Sequence, residues 1–447
     1  MISIYSISLG CPKNRVDTEK ALGGLAERCA GARVVEEPEE ADLVFVNTCG
    51  FIAPATEESV RTLLETIERI SAMPQRYRPL LAAAGCLVGR FGAREIAPDL
   101  PEVDLFLESK DLPFWSERLY DALAHRQKLG PAAPSSGHAR MLSTGPSYAW
   151  LKISEGCRHT CSFCTIPSIR GHLRSLPAES IKAEAQGLLT QGVKELILVA
   201  QDVTSWGSDI GEKDGLRALL PHLLPLGGLE RLRIMYLYPS GLTADLLQFL
   251  KDAGAPFVPY FDVPLQHAAE GVLSRMGRPF AHNPYKVLDR IRSYFPAAAL
   301  RTSIITGFPG ETERDFEELC DFIAEARFMH MGVFAYQAEE GTPAAAMPGQ
   351  IPDEEKERRR DILMRIQSEI SEEQLARFEG QRLSVLVDSP HEEWPGLHVG
   401  RTWFQAPEID GVTYISGPGV KPGALVEGDI TEASTYDLVA LTDAEEE

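Results

Sequence analysis

No run of about 18 apolar residues occurs anywhere in the 447-residue chain, which argues against a helical membrane span. The stretch from Met1 to Asn14 also lacks the basic start and long apolar core of a secretory signal, so a cytoplasmic location is expected. Basic residues are in short supply: 44 Lys plus Arg stand against 65 Asp plus Glu, a formal net charge of -21. So acidic a chain repels phosphate backbones unless it carries a local basic patch, and it suits a basic protein partner better. Cysteine is scarce too, with eight in all: Cys11, Cys29, Cys49, Cys86, Cys157, Cys161, Cys164 and Cys320. That count excludes a disulfide scaffold in so long a chain, and in a reducing compartment it leaves metal or redox chemistry. What remains is ordinary globular composition, 44% apolar and 24% charged at a mean hydropathy of -0.13, which excludes disorder, collagen and coiled coil. The length predicts about three domains.

The amino-terminal segment alternates strand-like runs (Ile2 to Leu9, Asp42 to Asn47, Pro79 to Ala84) with helical patterns (Asp17 to Cys29, Thr56 to Ser71). Such alternation predicts βαβ units and a parallel sheet over residues 1–127. Residues 128–147 are rich in Gly, Pro, Ser and Ala with little periodicity and read as a linker. From 148 to 378 six strand-like runs alternate with helical stretches, which predicts a partial or complete β/α barrel. Its last element, Asp353 to Phe378, is charged and amphipathic and reads as a surface helix. Residues 379–447 hold five short strand patterns with Gly and Pro turns, the signature of a small OB-like all-β barrel. The fold class is therefore α/β with a terminal β-barrel.

Six of the eight cysteines form two patterns. Cys11, Cys49 and Cys86 each follow a predicted strand, separated by 38 and 37 residues, about one βαβ period each. Ligands of open α/β sheets collect beyond the carboxyl ends of strands, so these three thiols can converge on one object, and a thiolate trio suits a soft metal centre. Ordinary buried free cysteines would look the same in sequence. The sharper pattern is Cys157-Arg158-His159-Thr160-Cys161-Ser162-Phe163-Cys164. Zinc would require four ligands, and His159, the obvious fourth, lies inside a loop too short to close the tetrahedron easily. Three thiolates holding a [4Fe–4S] cube with one open iron fit the count better. Cys29 and Cys320 lie in predicted helices without nearby partners and read as core thiols.

This CxxxCxxC loop, after the first strand of a predicted β/α barrel, resembles that of the radical S-adenosylmethionine (SAM) superfamily. The resemblance implies that SAM chelates the unique iron and is cleaved to a deoxyadenosyl radical, with Phe163 against the adenine. A second trio at Cys11, Cys49 and Cys86, with a terminal OB-like barrel, is similar to the methylthiotransferase family, whose TRAM-like barrel binds substrate. That likeness runs the length of the chain, through Asn47-Thr48-Cys49, the 157–164 loop and Gly307-Phe308-Pro309-Gly310-Glu311-Thr312. It implies two [4Fe–4S] clusters, methyl transfer from one SAM to sulfur at the second cluster, hydrogen abstraction by the radical, then C–S bond formation. An electron donor and a sulfur source, both unidentified, are implied as well.

Within that family, Leu9-Gly10-Cys11-Pro12-Lys13-Asn14, Asn47-Thr48-Cys49-Gly50-Phe51-Ile52, Leu265-Gln266-His267 and Glu339-Glu340-Gly341-Thr342-Pro343 resemble the RimO branch. Its substrate is an aspartate β-carbon in small-subunit ribosomal protein S-twelve, whereas other branches modify adenosine in transfer RNA. Residues 376–447 carry 4 Lys plus Arg against 14 Asp plus Glu, a net of -10, the wrong sign for a module that grips phosphates. An acidic surface would steer a basic ribosomal protein instead, although acidity at the tail Glu445-Glu446-Glu447 also serves solubility. The transfer-RNA enzyme remains the alternative, and a non-catalytic iron–sulfur or zinc protein that binds ribosomes is another.

Glu339 and Glu340 follow a predicted barrel strand, where such barrels place active-site loops, and are candidate substrate contacts. Gln201 with Asp202, Gln266 with His267, and Arg301 lie at strand ends or starts, from which polar side chains reach the barrel interior. Gln201, Gln266 and Arg301 are candidate SAM contacts beside Phe163, while His267 also fits a satisfied core histidine. Gly307 to Gly310 lacks the Lys and Ser/Thr of a phosphate loop and reads as a close backbone approach to SAM.

Overall fold

Residues 43–46 and 80–84 are wholly apolar, and the strands they begin, 43–48 and 80–85, are buried along their whole length, as a parallel sheet covered on both faces requires. In the computed structural model, which describes residues 1–127, 129–278, 280 and 283–443, five strands make this first sheet. They are β1 (Ile2–Ser8), β2 (Ala32–Val34), β3 (Leu43–Thr48), β4 (Leu80–Gly85) and β5 (Leu105–Glu108), all parallel, in the order β2-β1-β3-β4-β5. Alternation along β3 divides the core: Leu43 and Phe45 pack with Trp115 and Leu119 on one face, Val44 and Val46 with Leu63 and Ile67 on the other. The three expected strands are present, and β2 and β5, too short to show a pattern, join them at the edges.

Residues 129–147 carry no helix or strand, yet the segment is anchored. Arg140 is buried between Glu19 and Glu184, and the Met141 N–H donates to Glu19 O at 3.0 Å. Lys128 and the tail Glu445-Glu446-Glu447 lie outside the described residues.

The second sheet contains six parallel strands in simple sequence order: β6 (Tyr148–Lys152), β9 (Glu195–Val199), β10 (Arg231–Ile234), β11 (Phe257–Asp262), β12 (Ala299–Thr306) and β13 (His330–Ala335). Between β6 and β9, β7 (Ser154–Glu155) pairs with β8 (Arg174–Ser175). The β/α repeat is thus an open, partial barrel. After the long helix Asp353–Leu375 come β14 (Arg382–Pro390), β15 (His398–Arg401), β16 (Thr413–Ser416), β17 (Leu425–Ala433) and β18 (Leu438–Leu441). These five close into a barrel in the order β14-β15-β16-β18-β17. Among the described residues no helix is long and apolar enough to cross a membrane.

The chain forms two compact units. One comprises Met1–Ser143, Glu155–His159 and Cys164–Gly187, and the other Thr144–Ser154, Thr160–Phe163 and Leu188–Glu447. Within the second unit, the terminal barrel meets the starts of the β/α strands through buried charge. Glu195, the first residue of β9, accepts from Arg233 Nε and Arg401 Nη1, both at 2.7 Å, and Arg401 also grips Asp388 at 2.7 and 3.0 Å. Tyr260 donates to Asp410 at 2.7 Å, and His330 Nε2 lies 2.7 Å from Phe404 O. Burial alone would raise the Glu195 carboxyl, but Arg233 and Arg401 hold it down at about 2.

Candidate functional site

The first cysteine trio stands at the carboxyl end of three neighbouring strands. β1, β3 and β4 are adjacent in the sheet, with Ser8 opposite Asn47 and Thr48 opposite Gly85, so Cys49 and Cys86 leave at the same level. Cys11 precedes the helix Pro12–Arg28, whose first residue is a proline preset for a helical start, and Cys86 opens the helix Cys86–Phe91. Two glycines make room. A Cβ on Gly10 (φ +85) would stand 2.8 Å from Cys49 Cβ and 2.9 Å from its sulfur. One on Gly85 (φ +99) would overlap Asn47 Oδ1 and stand 2.5 Å from Thr48 O.

Buried amides tie the ends of β1 and β3 together. Asn14 Nδ2 donates to Leu9 O at 2.8 Å and Thr48 O at 2.9 Å, and Asn47 Nδ2 donates to Asn14 O at 2.8 Å. Ser59 Oγ accepts from the Cys49 N–H at 2.9 Å and donates to the Cys49 carbonyl at 2.7 Å. A residue the spacing argument did not reveal completes the setting. Arg170, at the end of helix Ile166–Arg170, donates to Cys86 Sγ from Nε at 3.3 Å and Nη2 at 3.2 Å. Burial pushes the Cys86 thiol up to about 11 against the pull of that guanidinium, with Cys11 and Cys49 adding to the rise. Cys49 moves the same way for the same first reason, burial.

The second trio lies on the loop between β7 and helix Ile166–Arg170. In the first unit, the Cys157 N–H donates to Gly171 O at 3.1 Å, the His159 N–H points at Cys157 Sγ at 3.4 Å, and Thr165 Oγ1 donates to Phe51 O at 3.0 Å. In the second, Ser162 is held from both sides: its N–H donates to Met276 O at 3.1 Å and its carbonyl accepts from the Ala344 N–H at 2.9 Å. Phe163 packs against an apolar cluster containing Val272, Phe308 and Tyr336, with the Arg278 guanidinium 5.7 Å from its ring centre.

All eight cysteines are free thiols. Cys29 and Cys320, expected in the core, are only half-buried, Cys29 against the Trp115 side of the first sheet. Among the described residues, no group of three or more His, Cys, Asp or Glu side chains is poised as it stands to hold a metal ion. The donor chemistry of the strand-end trio nevertheless fits an iron–sulfur group: three free thiols, a cationic N–H donor on one of them, and glycines where a side chain would intrude. The 157–164 loop offers the same donor set of three free thiols.

The other candidates divide. Gln201 follows β9 and Glu339 is buried beyond β13, while Glu340 is exposed. Gln266 is held in the left-handed region (φ +76), where its N–H donates to Ser303 O and its carbonyl accepts from the Ile305 N–H, both at 2.8 Å. For a non-glycine this conformation costs on the order of 1–3 kcal/mol, and it is stored where β11 ends. Asp202 is committed to its own turn, accepting from Thr204 N–H at 2.9 Å and from the Ser205 hydroxyl. Arg301 lies near the start of β12, its Nη1 2.9 Å from Asp262 and its Nε 3.5 Å from Asp410, toward the terminal barrel.

His267 is buried and its Nδ1 accepts from the Ala269 N–H at 3.0 Å, the core role the sequence allowed. Burial holds it down at about 3, hence neutral. The glycine loop 307–310 is no phosphate cradle: its amides at Gly307 (2.7 Å) and Phe308 (3.1 Å) are taken by the Glu311 carboxylate, which Arg359 neutralises at 2.7 Å.

Comparison with known proteins assigns the parts. The Radical SAM superfamily matches residues 151–323, Uncharacterized protein family UPF0004 residues 3–108, and the TRAM domain residues 380–442. The chain is 65% identical over 442 residues to the ribosomal protein uS12 methylthiotransferase RimO of Nitratidesulfovibrio vulgaris strain DP4, covering 99% of this chain and 100% of that one. It is 63% identical to the RimO of Oleidesulfovibrio alaskensis over 99% and 100%, and 54% identical to that of Lawsonia intracellularis over 98% of each. Among solved structures, the radical S-adenosylmethionine methyltransferase TsrM from Kitasatospora setae matches with a TM-score of 0.54 at 13% identity. That match covers 89% of this chain and 80% of TsrM, a likeness of fold.

Proposed function

Because the chain belongs to the family of ribosomal protein uS12 methylthiotransferases of the RimO type, we propose that it adds a methylthio group to the β-carbon of an aspartate in that basic ribosomal protein. The observation that carries this reading is the pairing of a CxxxCxxC loop with three further thiols at adjacent strand ends. Cys157, Cys161 and Cys164 would hold one [4Fe–4S] cluster and Cys11, Cys49 and Cys86 a second. When bound, the first supplies the electron for reductive SAM cleavage and the second holds the sulfur that is methylated and delivered.

The rest falls to side chains and backbone. Asn14, Asn47 and Ser59 keep the strand-end backbones in place. Phe163, Gln201 and Gln266 are the proposed SAM contacts, Phe163 excluding water with Phe308 and Tyr336. Arg301, paired with Asp262 at the end of β11 and with Asp410, is the fourth proposed SAM contact. Glu339 and Glu340 would meet the substrate, and the acidic terminal barrel would steer its lysines and arginines. Functional boundaries at 1–127, 128–147, 148–378 and 379–447 follow, with work in the cytoplasm, where ribosomal protein is available.

The test is anaerobic turnover of the iron- and sulfide-reconstituted protein with SAM and reductant, offering ribosomal protein uS12 and transfer RNA separately and reading both by mass spectrometry. A gain of methylthio on an aspartate is expected. The same group on adenosine would overturn the substrate, and absence of SAM cleavage would overturn the chemistry.

A further inference from the structure

Arg170 is buried, its side chain 1% exposed, and each of its five N–H groups has a partner. Nε and one Nη2 hydrogen point at Cys86 Sγ, at 3.3 and 3.2 Å. The second Nη2 hydrogen goes to Asn14 Oδ1 at 2.6 Å, and Nη1 divides between Asp17 Oδ2 at 2.6 Å and Glu155 Oε2 at 3.2 Å. A guanidinium fork usually closes on a carboxylate or phosphate. Here one edge of the fork closes on a sulfur, and the carboxylates hold the other side.

We propose that Arg170 is a positioning residue for the strand-end sulfur centre, and that the helix following the 157–164 loop exists in part to deliver it. The inference rests on the function proposed above. Thiolates around a cluster bring negative charge into a buried site, and hydrogen bonds to the sulfurs are among the factors that set its potential. Arg170 supplies two such bonds to one ligand sulfur. Asp17 and Glu155 anchor the guanidinium so that it cannot swing away, and Asn14, which ties Leu9 to Thr48, couples its position to the backbone around Cys11 and Cys49. Lysine would keep the charge but lose the fork.

The experiment compares wild type, Arg170→Gln and Arg170→Lys after identical anaerobic reconstitution, with Cys86→Ala and Cys157→Ala as single-site references. Iron and sulfide content, electron paramagnetic resonance of the reduced protein and redox titration of each signal are read. In Arg170→Gln the signal lost in Cys86→Ala should fall several-fold, while the signal lost in Cys157→Ala persists and reports an intact fold. Arg170→Lys should retain both signals, with the strand-end potential alone moved to a more negative value. Unchanged occupancy and potential in both variants would overturn the proposal, as would equal loss of both signals in Arg170→Lys. A wild type holding a single cluster would instead overturn the two-cluster reading on which the proposal stands.

Discussion

Gly85 leaves β4 with φ +99 and ψ -150, a conformation essentially closed to any residue with a Cβ, and it sets the direction in which Cys86 departs. Gly85→Ala is expected to lower unfolding free energy by about 1–3 kcal/mol, measured by denaturant titration, and to reduce iron uptake at the strand-end trio. His267 carries a different kind of commitment. It is buried neutral with its ionisation depressed to about 3 from an ordinary value of 6.5. Its contribution to stability is complete above pH 6.5 and is lost as pH falls toward 3, because the unfolded chain takes up the proton first. The slope should approach about 1.4 kcal/mol per pH unit for this one group, and His330, lowered by burial as well, adds to it. Unfolding curves at pH 7 and pH 5 should diverge, and His267→Asn should flatten the difference.

Helix Glu313–Ala326 shows how an element is started by local chemistry. Thr312 Oγ1 accepts from the Asp315 N–H at 3.2 Å while the Asp315 carboxylate accepts from the Thr312 N–H at 2.9 Å, a reciprocal capping box. Burial would raise the Asp315 carboxyl, but the Thr312 hydrogen bonds hold it below its ordinary value. Thr312→Ala is expected to cost about 1 kcal/mol, read as a lower denaturant midpoint with unchanged slope. The central strands were legible in the sequence, their apolar runs being long enough to declare themselves. The three-residue β2 and four-residue β5 were not, because so few positions show no period. The segment 128–147 reads as a linker because composition records Gly, Pro and Ser and says nothing of one buried Arg140 between two carboxylates.

The whole molecule adds the charged seam between the starts of the β/α strands and the terminal barrel. Arg401→Met would leave Glu195 short of one guanidinium and Asp388 without its fork, so a loss of about 3–5 kcal/mol is expected in denaturant unfolding. Limited proteolysis should then cut near residue 380 earlier than in the wild type. The seam also gives the strand starts a structural task. The pairing of Arg301 with Asp262 and Asp410 was not legible in sequence, since the partners of a strand residue are unknown until the sheet's neighbours are.

Sequence alone determined the strand and helix content of the central elements, the two thiol patterns, the sign of the surface charge and the family. All of these are carried by spacing within a few tens of residues or by composition. Tertiary structure decided which charges meet. Arg170 and Cys86 are 84 positions apart and Glu195 and Arg401 are 206 apart. Side-chain periodicity is a property of a single element, whereas a buried ion pair depends on the path that brings two elements together. A chain with 44 basic and 65 acidic residues offers thousands of possible pairs. Desolvation selects the few that can persist in the interior, and it acts only after the backbone has folded around them.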